Sequence, residues 1–235
     1  MQISAKKLFF DFYNLLVPRK CLNCGKNLNL KENQICLDCI YNIPKTNYLD
    51  FIDNPANQIF WGRININFAS ALYFFTKNSA LQDLIHQIKY SGKKELAYEL
   101  GKQIAFGIKK SEFYSNLDFI FPVPLHPKKF KKRGYNQSEW IAKGISEILK
   151  IPLETSILIK TKNTKSQTNK NRLERLENVS SVFSLSAEYL SFKSKHILVV
   201  DDVLTTGATI EACCIELLKI PESKISVITL AIAGN

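Results

Sequence analysis

Apolar and polar residues follow regular patterns over most of the chain, and these patterns predict secondary structure from about residue 68 onward. Short runs rich in β-branched and aromatic residues predict buried strands, whereas apolar residues three and four positions apart predict amphipathic helices. The predicted strands are 68–76, 118–123, 196–200 and 225–232, and the predicted helices are 79–90, 94–109, 137–150 and 209–219. Because strands and helices alternate, we expect an α/β domain whose parallel or mixed sheet is flanked by helices.

The chain before residue 68 has a different character. Residues 3–16 have the pattern of an amphipathic helix, and the following stretch to about residue 41 is polar and carries four regularly spaced cysteines. The next segment is rich in Asn, Asp and Pro and has little periodicity, which is typical of an irregular connector. The sequence therefore predicts an N-terminal helix and metal module over 1–44, a connector over 45–67 and the α/β domain over 68–235.

Composition and charge narrow the classes of protein and partner. A hydrophobic fraction of 46% with 23% charged residues is typical of a folded protein. Asp11 and Asn14 interrupt the first apolar stretch, and no apolar run approaches the roughly 18–20 residues that span a bilayer. We therefore expect a cytoplasmic protein without a membrane span. A net charge of +11 favours a phosphate-bearing partner, either a small ligand or a nucleic acid.

The most informative segment is 197–209, in which an apolar run is followed by two carboxylates and a loop rich in hydroxyl groups. The run predicts a buried strand that places Asp201 and Asp202 at its C-terminal end, where ligands bind in open α/β sheets. The residues of the loop, which opens the next helix, are Thr205, Thr206, Gly207, Ala208 and Thr209. Glycine allows close approach of the backbone and a helix N-terminus attracts anions, so this loop predicts a phosphate site.

Several ligands suit an acidic pair beside a phosphate loop. Carboxylates accept hydrogen bonds from vicinal hydroxyls, which fits ribose 5-phosphate, and they also hold Mg²⁺ through water. The same dipeptide occurs in response-regulator receivers, but there it lies near the start of the domain. The structural alternative is that Asp201 and Asp202 form a strand-end turn and Gly207 caps a helix.

Two further segments carry polar residues in recognisable patterns. Residues 121–138 follow a predicted strand and contain a basic cluster over 128–133, composed of Lys128, Lys129, Lys131, Lys132 and Arg133. This cluster fits a phosphorylated ligand, DNA phosphates or an ordinary solvated surface. Residues 161–178 are polar and basic, and we expect them to form a mobile surface loop.

Together these segments resemble the ComF family of competence-associated proteins, also represented by GntX. That family typically shows PVPLHP, RG(F/Y)NQ, T-x-x-Q, R-x-x-N-V and VDDVxTTGAT in this order, and all five are present here. Segment 197–209 also resembles the signature of type I phosphoribosyltransferases, which bind 5-phosphoribosyl 1-diphosphate (PRPP). The resemblance covers about residue 65 to the end and extends to the cysteines. It departs at Lys160 and Lys162, where family members often carry arginine. Lysine keeps the positive charge but lacks the planar guanidinium that forms two parallel hydrogen bonds to a phosphate.

The resemblance implies a type I phosphoribosyltransferase-like fold and a role for each segment. Asp201 and Asp202 would contact the ribose hydroxyls, with Mg²⁺ accompanying PRPP, and 205–209 would bind the 5-phosphate. The loop that meets pyrophosphate would be Pro124, Leu125 and His126, although His126 also fits an ordinary loop residue. A flexible hood over the site would include Lys165, Gln167, Arg172 and Arg175. His86 fits a packing role, and His196 has no motif.

The activity implied is displacement of pyrophosphate from PRPP by an acceptor that the sequence does not name, in a protein linked to competence and DNA uptake. One alternative is a PRPP- or nucleotide-sensing protein without turnover. Another is an accessory protein that handles single-stranded DNA or contacts DNA-uptake proteins.

The four N-terminal cysteines form two C-x-x-C motifs, Cys21-x-x-Cys24 and Cys36-x-x-Cys39, separated by eleven residues. Four thiolates at this spacing are typical of a structural Zn²⁺ site, which stabilises a segment too short to build its own core. Disulfides and a redox dithiol are the less favoured alternatives, since no secretory signal or thioredoxin-like pattern is present. The adjacent Cys213 and Cys214 lie on a predicted helix and fit a packing role.

Overall fold

The computed structural model of the protein describes residues 18–161 and 182–234, which fall into two compact units, 18–43 and 44–234. The predicted helix over 3–16 and residues 162–178 of the predicted loop lie outside the described residues. No helix in the described ranges is long and apolar enough to cross a membrane.

The first unit is a short segment that folds around its cysteines. Lys20 and Asn27 form an isolated antiparallel bridge, and helix α1 spans Leu37–Asn42. The carboxylate of Glu32 is buried and accepts hydrogen bonds from the backbone N–H groups of Asn29 and Leu37, at 2.8 and 2.7 Å. Those bonds lower the pKa of Glu32, so the carboxylate remains charged while it fixes the start of α1.

A four-stranded parallel sheet is the centre of the second unit. Its strands are β1 Phe68–Phe75, β2 Phe119–Pro122, β5 His196–Leu204 and β6 Lys224–Ala233, in the order β1-β6-β5-β2. Two short strands, β3 Leu158–Lys160 and β4 Phe183–Leu185, pair antiparallel beside it. The prediction of an α/β sheet is confirmed, and the main sheet is purely parallel.

Helices of the second unit occupy the predicted positions, with two additions. They are α2 Pro55–Gln58, α3 Ala80–Tyr90, α4 Lys94–Ile108, α5 Pro127–Arg133, α6 Gln137–Leu149 and α7 Ala208–Leu217, and 3-10 turns span Tyr48–Asp50, Glu112–Tyr114 and Ala187–Phe192. Helix α5 replaces a predicted basic loop. It forms because Pro127 starts it, the His126 side chain accepts a hydrogen bond from the backbone N–H of Lys128, and Gly134 ends it in the left-handed conformation.

Both faces of the sheet are covered. Ile197 and Val199 belong to a buried cluster that includes Phe60 of the segment after α2 and Cys213 and Cys214 of α7. The alternate positions Leu198 and Val200 are equally buried but lie outside that cluster. Since successive residues of a strand point to opposite faces, β5 is packed on both sides, as expected of a parallel sheet. The two adjacent cysteines have the packing role that the sequence suggests.

Residues 45–67, predicted to be an irregular connector, lie along the free edge of β1. The backbone N–H of Thr46 donates to the carbonyl of Leu72 at 3.0 Å. Farther along, the side chain of Asn57 accepts a hydrogen bond from the backbone N–H of Ala69 at 2.9 Å. The side-chain amide of Asn54 donates to the carbonyl oxygen of the same Ala69 at 3.1 Å. These polar side chains satisfy backbone groups that an edge strand would otherwise expose.

Helices α4 and α6 pack so closely that their backbones are in contact. A β-carbon built on Gly101 would lie 2.1 Å from the carbonyl oxygen of Ile141, and one on Gly144 would lie 2.2 Å from that of Tyr98. Neither distance is possible for real atoms, so both positions require glycine. The close approach fixes the position of α6, whose first turn reaches the end of β5.

Candidate functional site

The acidic pair lies within β5 rather than after it. The predicted strand ends at Val200, but β5 continues to Leu204 because β6 pairs with it up to Ile232, whereas the neighbouring strand β2 ends at Pro122. Asp201 and Asp202 therefore lie where one side of β5 has lost its partner strand. This opening is at the C-terminal edge of the sheet, as predicted.

Asp201 is held by the first turn of α6. The hydroxyl of Ser138, which is fully buried, donates to Asp201 Oδ1 at 2.7 Å. Asn136 caps this helix: its Oδ1 accepts from the N–H of Ser138 at 3.1 Å, and its Nδ2 donates to the carbonyl of Val123 at 3.0 Å. Burial and the charge of Asp202 raise the pKa of Asp201 to about 6, although the hydrogen bond from Ser138 acts in the opposite direction.

Asp202 has a different partner. It is 6% exposed, and its Oδ2 lies 2.8 Å from Nζ of Lys89, in the last turn of α3. Its Oδ1 accepts from the N–H of Val203 at 2.7 Å. Sequence reasoning missed Lys89 and the role of Ser138, since neither contact leaves a signal in local spacing. The RG(F/Y)NQ motif was the available clue to the turn that carries Ser138.

The loop 205–209 has the shape of an anion site. Gly207 has φ of +76° and is the N-cap of α7, while the side chains of Thr205, Thr206 and Thr209 are exposed. The first N–H groups of α7 and three hydroxyls are thus available to an anion. Gly207 is required for a further reason that the sequence did not show. A β-carbon there would lie 2.5 Å from Cγ2 of Ile59 and 3.1 Å from the ring of Phe60.

Arg63 connects this loop to the segment before β1. Its Nη1 donates to the carbonyl oxygens of Ile59 and Thr206, both at 3.0 Å. Its Nε donates to Glu211 Oε1 at 3.2 Å, and its Nη2 contacts the other oxygen of the same carboxylate. Arg63 thereby fixes the loop and neutralises Glu211, an acidic residue in the first turn of α7.

The loop after β2 interacts with several lysines, and one of them, Lys160, also interacts with Asp201. Pro124 and Leu125 are half-buried, and His126 is buried with Nδ1 accepting from the N–H of Lys128 at 3.2 Å. Burial lowers the pKa of His126, and the charges of Lys128, Lys160 and Lys129 lower it further. Burial also lowers the pKa of Lys160, at the end of β3, while the charge of Asp201 acts against that shift. His126 and Lys160 thus interact electrostatically, as do Lys160 and Asp201.

The remaining predicted residues lie elsewhere or outside the described ranges. The hood residues Lys165, Gln167, Arg172 and Arg175, and also Lys162, lie outside them. His86 is exposed and contacts the ring of Tyr90. His196 is at the opposite end of β5 from Asp201, where its ring nitrogens contact the carbonyl oxygen of Ser115 and the hydroxyl of Ser226. It is therefore a structural residue.

A second surface, here termed the aromatic–basic surface, is formed by α5 and the neighbouring ends of α3, α4 and α6. Its exposed aromatic residues include Tyr90 and Phe130, at 65% and 47% exposure, and Trp140 is half-buried. Its cations are Lys94, Lys128, Lys129, Lys131, Lys132, Arg133 and Lys143. Arg133 lies 5.8 Å from the Tyr90 ring centre, and the ammonium groups of Lys94 and Lys143 each lie 4.8 Å from that of Trp140.

The four N-terminal cysteines converge as predicted. The Sγ atoms of Cys21, Cys24, Cys36 and Cys39 all lie within 4.8 Å of one another. The Cys21–Cys39 and Cys24–Cys36 Sγ distances are 3.8 and 3.7 Å. A tetrahedron with metal–sulfur bonds of about 2.3 Å has edges of roughly 3.8 Å, so the donor set and its spacing fit a tetrahedral metal ion. The N–H of Cys36 and the amide of Asn23 also donate to cluster sulfurs, as expected around thiolate ligands.

Comparison with known proteins agrees with this geometry. Residues 136–235 match the family model for the phosphoribosyl transferase domain. This match and the parallel sheet flanked by helices confirm the type I phosphoribosyltransferase-like fold that the motifs implied.

Three relatives extend the similarity. Competence protein ComFC of Streptococcus pneumoniae is 30% identical over 212 residues, which cover 88% of this chain and 87% of that protein. Competence protein F of Haemophilus influenzae is 25% identical over 229 residues, covering 94% and 98%. DNA utilization protein YhgH of Escherichia coli K12 is 30% identical over 133 residues, covering 55% of this chain and 57% of that protein.

Proposed function

Because the chain belongs to the ComF family of competence proteins, we propose that it binds PRPP or ribose 5-phosphate at the C-terminal end of β5 and displaces pyrophosphate from PRPP with an unidentified acceptor. One observation carries the proposal: an acidic pair, half-buried at Asp201 and buried at Asp202, is followed directly by an anion-binding loop at one sheet edge. A ligand that presents vicinal hydroxyls and a phosphate a few ångströms apart matches both.

Each part of the site has a role in this proposal. Thr205 to Thr209 bind the 5-phosphate through N–H groups and hydroxyls, and Asp201 and Asp202 accept hydrogen bonds from the ribose hydroxyls. Pro124, Leu125 and His126 meet the pyrophosphate. The family role of a hood, which is to exclude water from a cationic transition state, falls on Lys165, Gln167, Arg172 and Arg175, which lie outside the described residues. We assign this protein to the cytoplasm, where PRPP is available and thiols stay reduced.

Two metals belong to the proposal. The oxygen donors of Asp201 and Asp202 fit Mg²⁺ bound through water, and bound Mg²⁺ supplies positive charge that favours departure of pyrophosphate. For the four-cysteine cluster we propose Zn²⁺, since four sulfur donors in a small polar unit are typical of structural zinc. The chain would then comprise a zinc module at 1–44, a connecting segment at 45–67 and the catalytic domain at 68–235.

A calorimetric titration of PRPP with Mg²⁺ tests the binding site. Asp201→Asn and Asp202→Asn preserve shape but remove charge, and a hydrogen bond to a charged group is worth roughly 1.5–3 kcal/mol, so each should weaken binding about ten- to a hundredfold. Asp118→Asn is a matched control, since Asp118 interacts with Lys195 and His196 at the opposite end of β5. Unchanged affinity in both site variants would contradict the proposed site.

Turnover separates an enzyme from a sensor that uses the same fold. Pyrophosphate release from PRPP with Mg²⁺ should be measured across a panel of acceptors, including nucleobases, amines and single-stranded DNA. Release that requires one acceptor, and that Asp201→Asn abolishes, establishes the enzyme. Tight binding without release across the panel would instead favour the sensing function.

The aromatic–basic surface supports a second candidate function, the handling of single-stranded DNA, which agrees with the name of the E. coli relative. Cations attract the phosphate backbone, and exposed aromatic rings such as Tyr90 stack on bases without reading sequence. Lys131→Glu with Lys132→Glu should weaken binding of an oligonucleotide and reduce its salt dependence. The same reversal at Lys109 and Lys110, exposed lysines at the end of α4, serves as the control. Equal loss in both pairs would indicate only non-specific attraction.

A further inference from the structure

The acidic pair is asymmetric, because only one of its two carboxylates has a cation in direct contact within the described residues. Asp201 accepts a hydrogen bond from the neutral hydroxyl of Ser138 at 2.7 Å. Asp202 lies 2.8 Å from the ammonium of Lys89. A buried carboxylate requires such compensation, and Lys89 is the ion-pair partner of Asp202 within the described part of the chain.

Lys89 is held in place by its own backbone neighbours. Ile88 is fully buried, and its carbonyl oxygen accepts a hydrogen bond from the hydroxyl of Tyr135, just before α6. The end of α3 is thereby attached to the segment that carries Ser138. The Lys89 side chain is 25% exposed. Lys89 and Asp202 form a close ion pair, but Asp202 Oδ2 has no hydrogen-bond partner in the described residues. The donors of the ammonium on the exposed side of Lys89 are therefore able to bind an anion.

The chemistry of the ligand decides which anion that is. If 205–209 bind the 5-phosphate and the acidic pair binds the 2- and 3-hydroxyls, carbon 1 of the ribose is next to the groups that contact the pair. In PRPP carbon 1 bears a diphosphate, whereas in ribose 5-phosphate it bears a hydroxyl. A cation fixed beside Asp202 therefore interacts strongly with the first ligand and weakly with the second.

We propose that Lys89 is a specificity-determining residue whose ammonium bridges Asp202 and the diphosphate, so that the site prefers PRPP to ribose 5-phosphate. This inference rests on the proposed function. It adds a residue from a helix that carries none of the recognised motifs.

The test is a comparison of two ligands. Affinities for PRPP and for ribose 5-phosphate, each with Mg²⁺, are measured by calorimetry for the wild type, Lys89→Met and Lys89→Gln. Both variants should lose about ten- to a hundredfold in affinity for PRPP and no more than about threefold for ribose 5-phosphate. Lys89→Gln retains a hydrogen-bond donor for Asp202, so it stays informative if Lys89→Met unfolds.

Lys219→Met is the matched control, because Lys219 also pairs with a buried carboxylate, Glu216, at 2.7 Å. It should change neither affinity. Equal losses for both ligands in Lys89→Gln would show that Lys89 only compensates the charge of Asp202, and unchanged affinities would also overturn the inference. If the wild type binds neither ligand, the proposed function itself fails.

Discussion

Arg63 donates a hydrogen bond to the carbonyl oxygen of Thr206 at 3.0 Å, across 143 residues of sequence. The same guanidinium holds both oxygens of the Glu211 carboxylate. The shape of the loop thus depends on a residue that precedes the first strand. Without Arg63, the loop would lose a restraint and Glu211 would bring an unpaired negative charge close to a bound phosphate.

Replacing Arg63 should therefore weaken binding of ribose 5-phosphate. The ion pair is partly exposed and worth at most about 1 kcal/mol, and the hydrogen bonds add roughly as much, so Arg63→Ala should cost about ten- to thirtyfold in affinity. Glu211→Gln in that background should restore part of the loss by removing the repulsion. Titration of these variants beside Arg19→Ala, which changes a half-buried arginine of the first unit, checks this. An Arg63→Ala protein with full affinity would show that the loop needs no such restraint.

Substitution at Gly207 should destabilise the protein more than the same change at another left-handed glycine. Gly207 and Gly92 have φ of +76° and +71°, but of these two only Gly207 has other atoms within 4 Å of where a β-carbon would lie. The left-handed conformation costs a residue such as alanine roughly 1–2 kcal/mol, and overpacking adds roughly 1–3. Denaturant unfolding should thus give a larger loss for Gly207→Ala than for Gly92→Ala. Equal losses would mean that Ile59 and Phe60 move aside freely.

Purified protein should contain about one zinc ion per chain, because one set of four thiolates makes one tetrahedral site. Cys36→Ser should lose the metal, since Cys36 is buried within the cluster. Cys214→Ala is the control: it also removes a buried thiol, but from the core around α7. Elemental analysis of reduced protein checks both variants. Wild-type protein without metal, or a Cys36→Ser protein that keeps it, would contradict the assignment.

Titration of Asp201 should make the native state less stable as the pH rises. Its pKa is raised to about 6, chiefly by burial, from about 3.9 in an unfolded chain. Between these values the native state holds a proton that the unfolded state has released, so stability falls as pH rises from about 4 to about 6. The stability of wild type minus that of Asp201→Asn should therefore decrease over this range.

Asp118→Asn should show the opposite trend. The hydrogen bond from the N–H of His196 lowers the pKa of Asp118, so this carboxylate stabilises the native state above its unfolded pKa and loses that effect as pH falls. Denaturant unfolding at about pH 3, 4 and 7 measures both differences, because the Asp118 effect is lost below its unfolded pKa of about 3.9 and the Asp201 effect changes between about pH 4 and 6. Parallel trends in the two variants would refute the assignment of the raised pKa to Asp201.

The strands and long helices could be predicted from the sequence because their burial leaves a repeating pattern. Val199 and Val200 lie in a β-branched run, and Leu84 and Ile88 lie on one helical face. Helix α5 was missed because its residues are basic and have no apolar period. Its ends were nonetheless marked by Pro127 and Gly134, the combination of first-turn proline and terminal glycine that favours a helix.

Parts of the site could be predicted and parts could not. The acidic pair and the loop 205–209 are contiguous in sequence, so their proximity follows from a strand that leads into a helix. Lys89 and Arg63 reach the same place from α3 and from the segment before β1. Their positions depend on how distant elements pack, and no spacing rule within either segment indicates the contact.

The close packing of α4 against α6 has a consequence for the evolution of this site. Gly101 and Gly144 let the two helices touch through their backbones, and Ser138 lies in the first turn of α6. A larger residue at either glycine would displace α6 and draw the Ser138 hydroxyl away from Asp201. Substitution at two interior glycines could therefore abolish the proposed ligand binding while every recognisable motif stayed intact, so descendants of such a protein would keep the signature without the site.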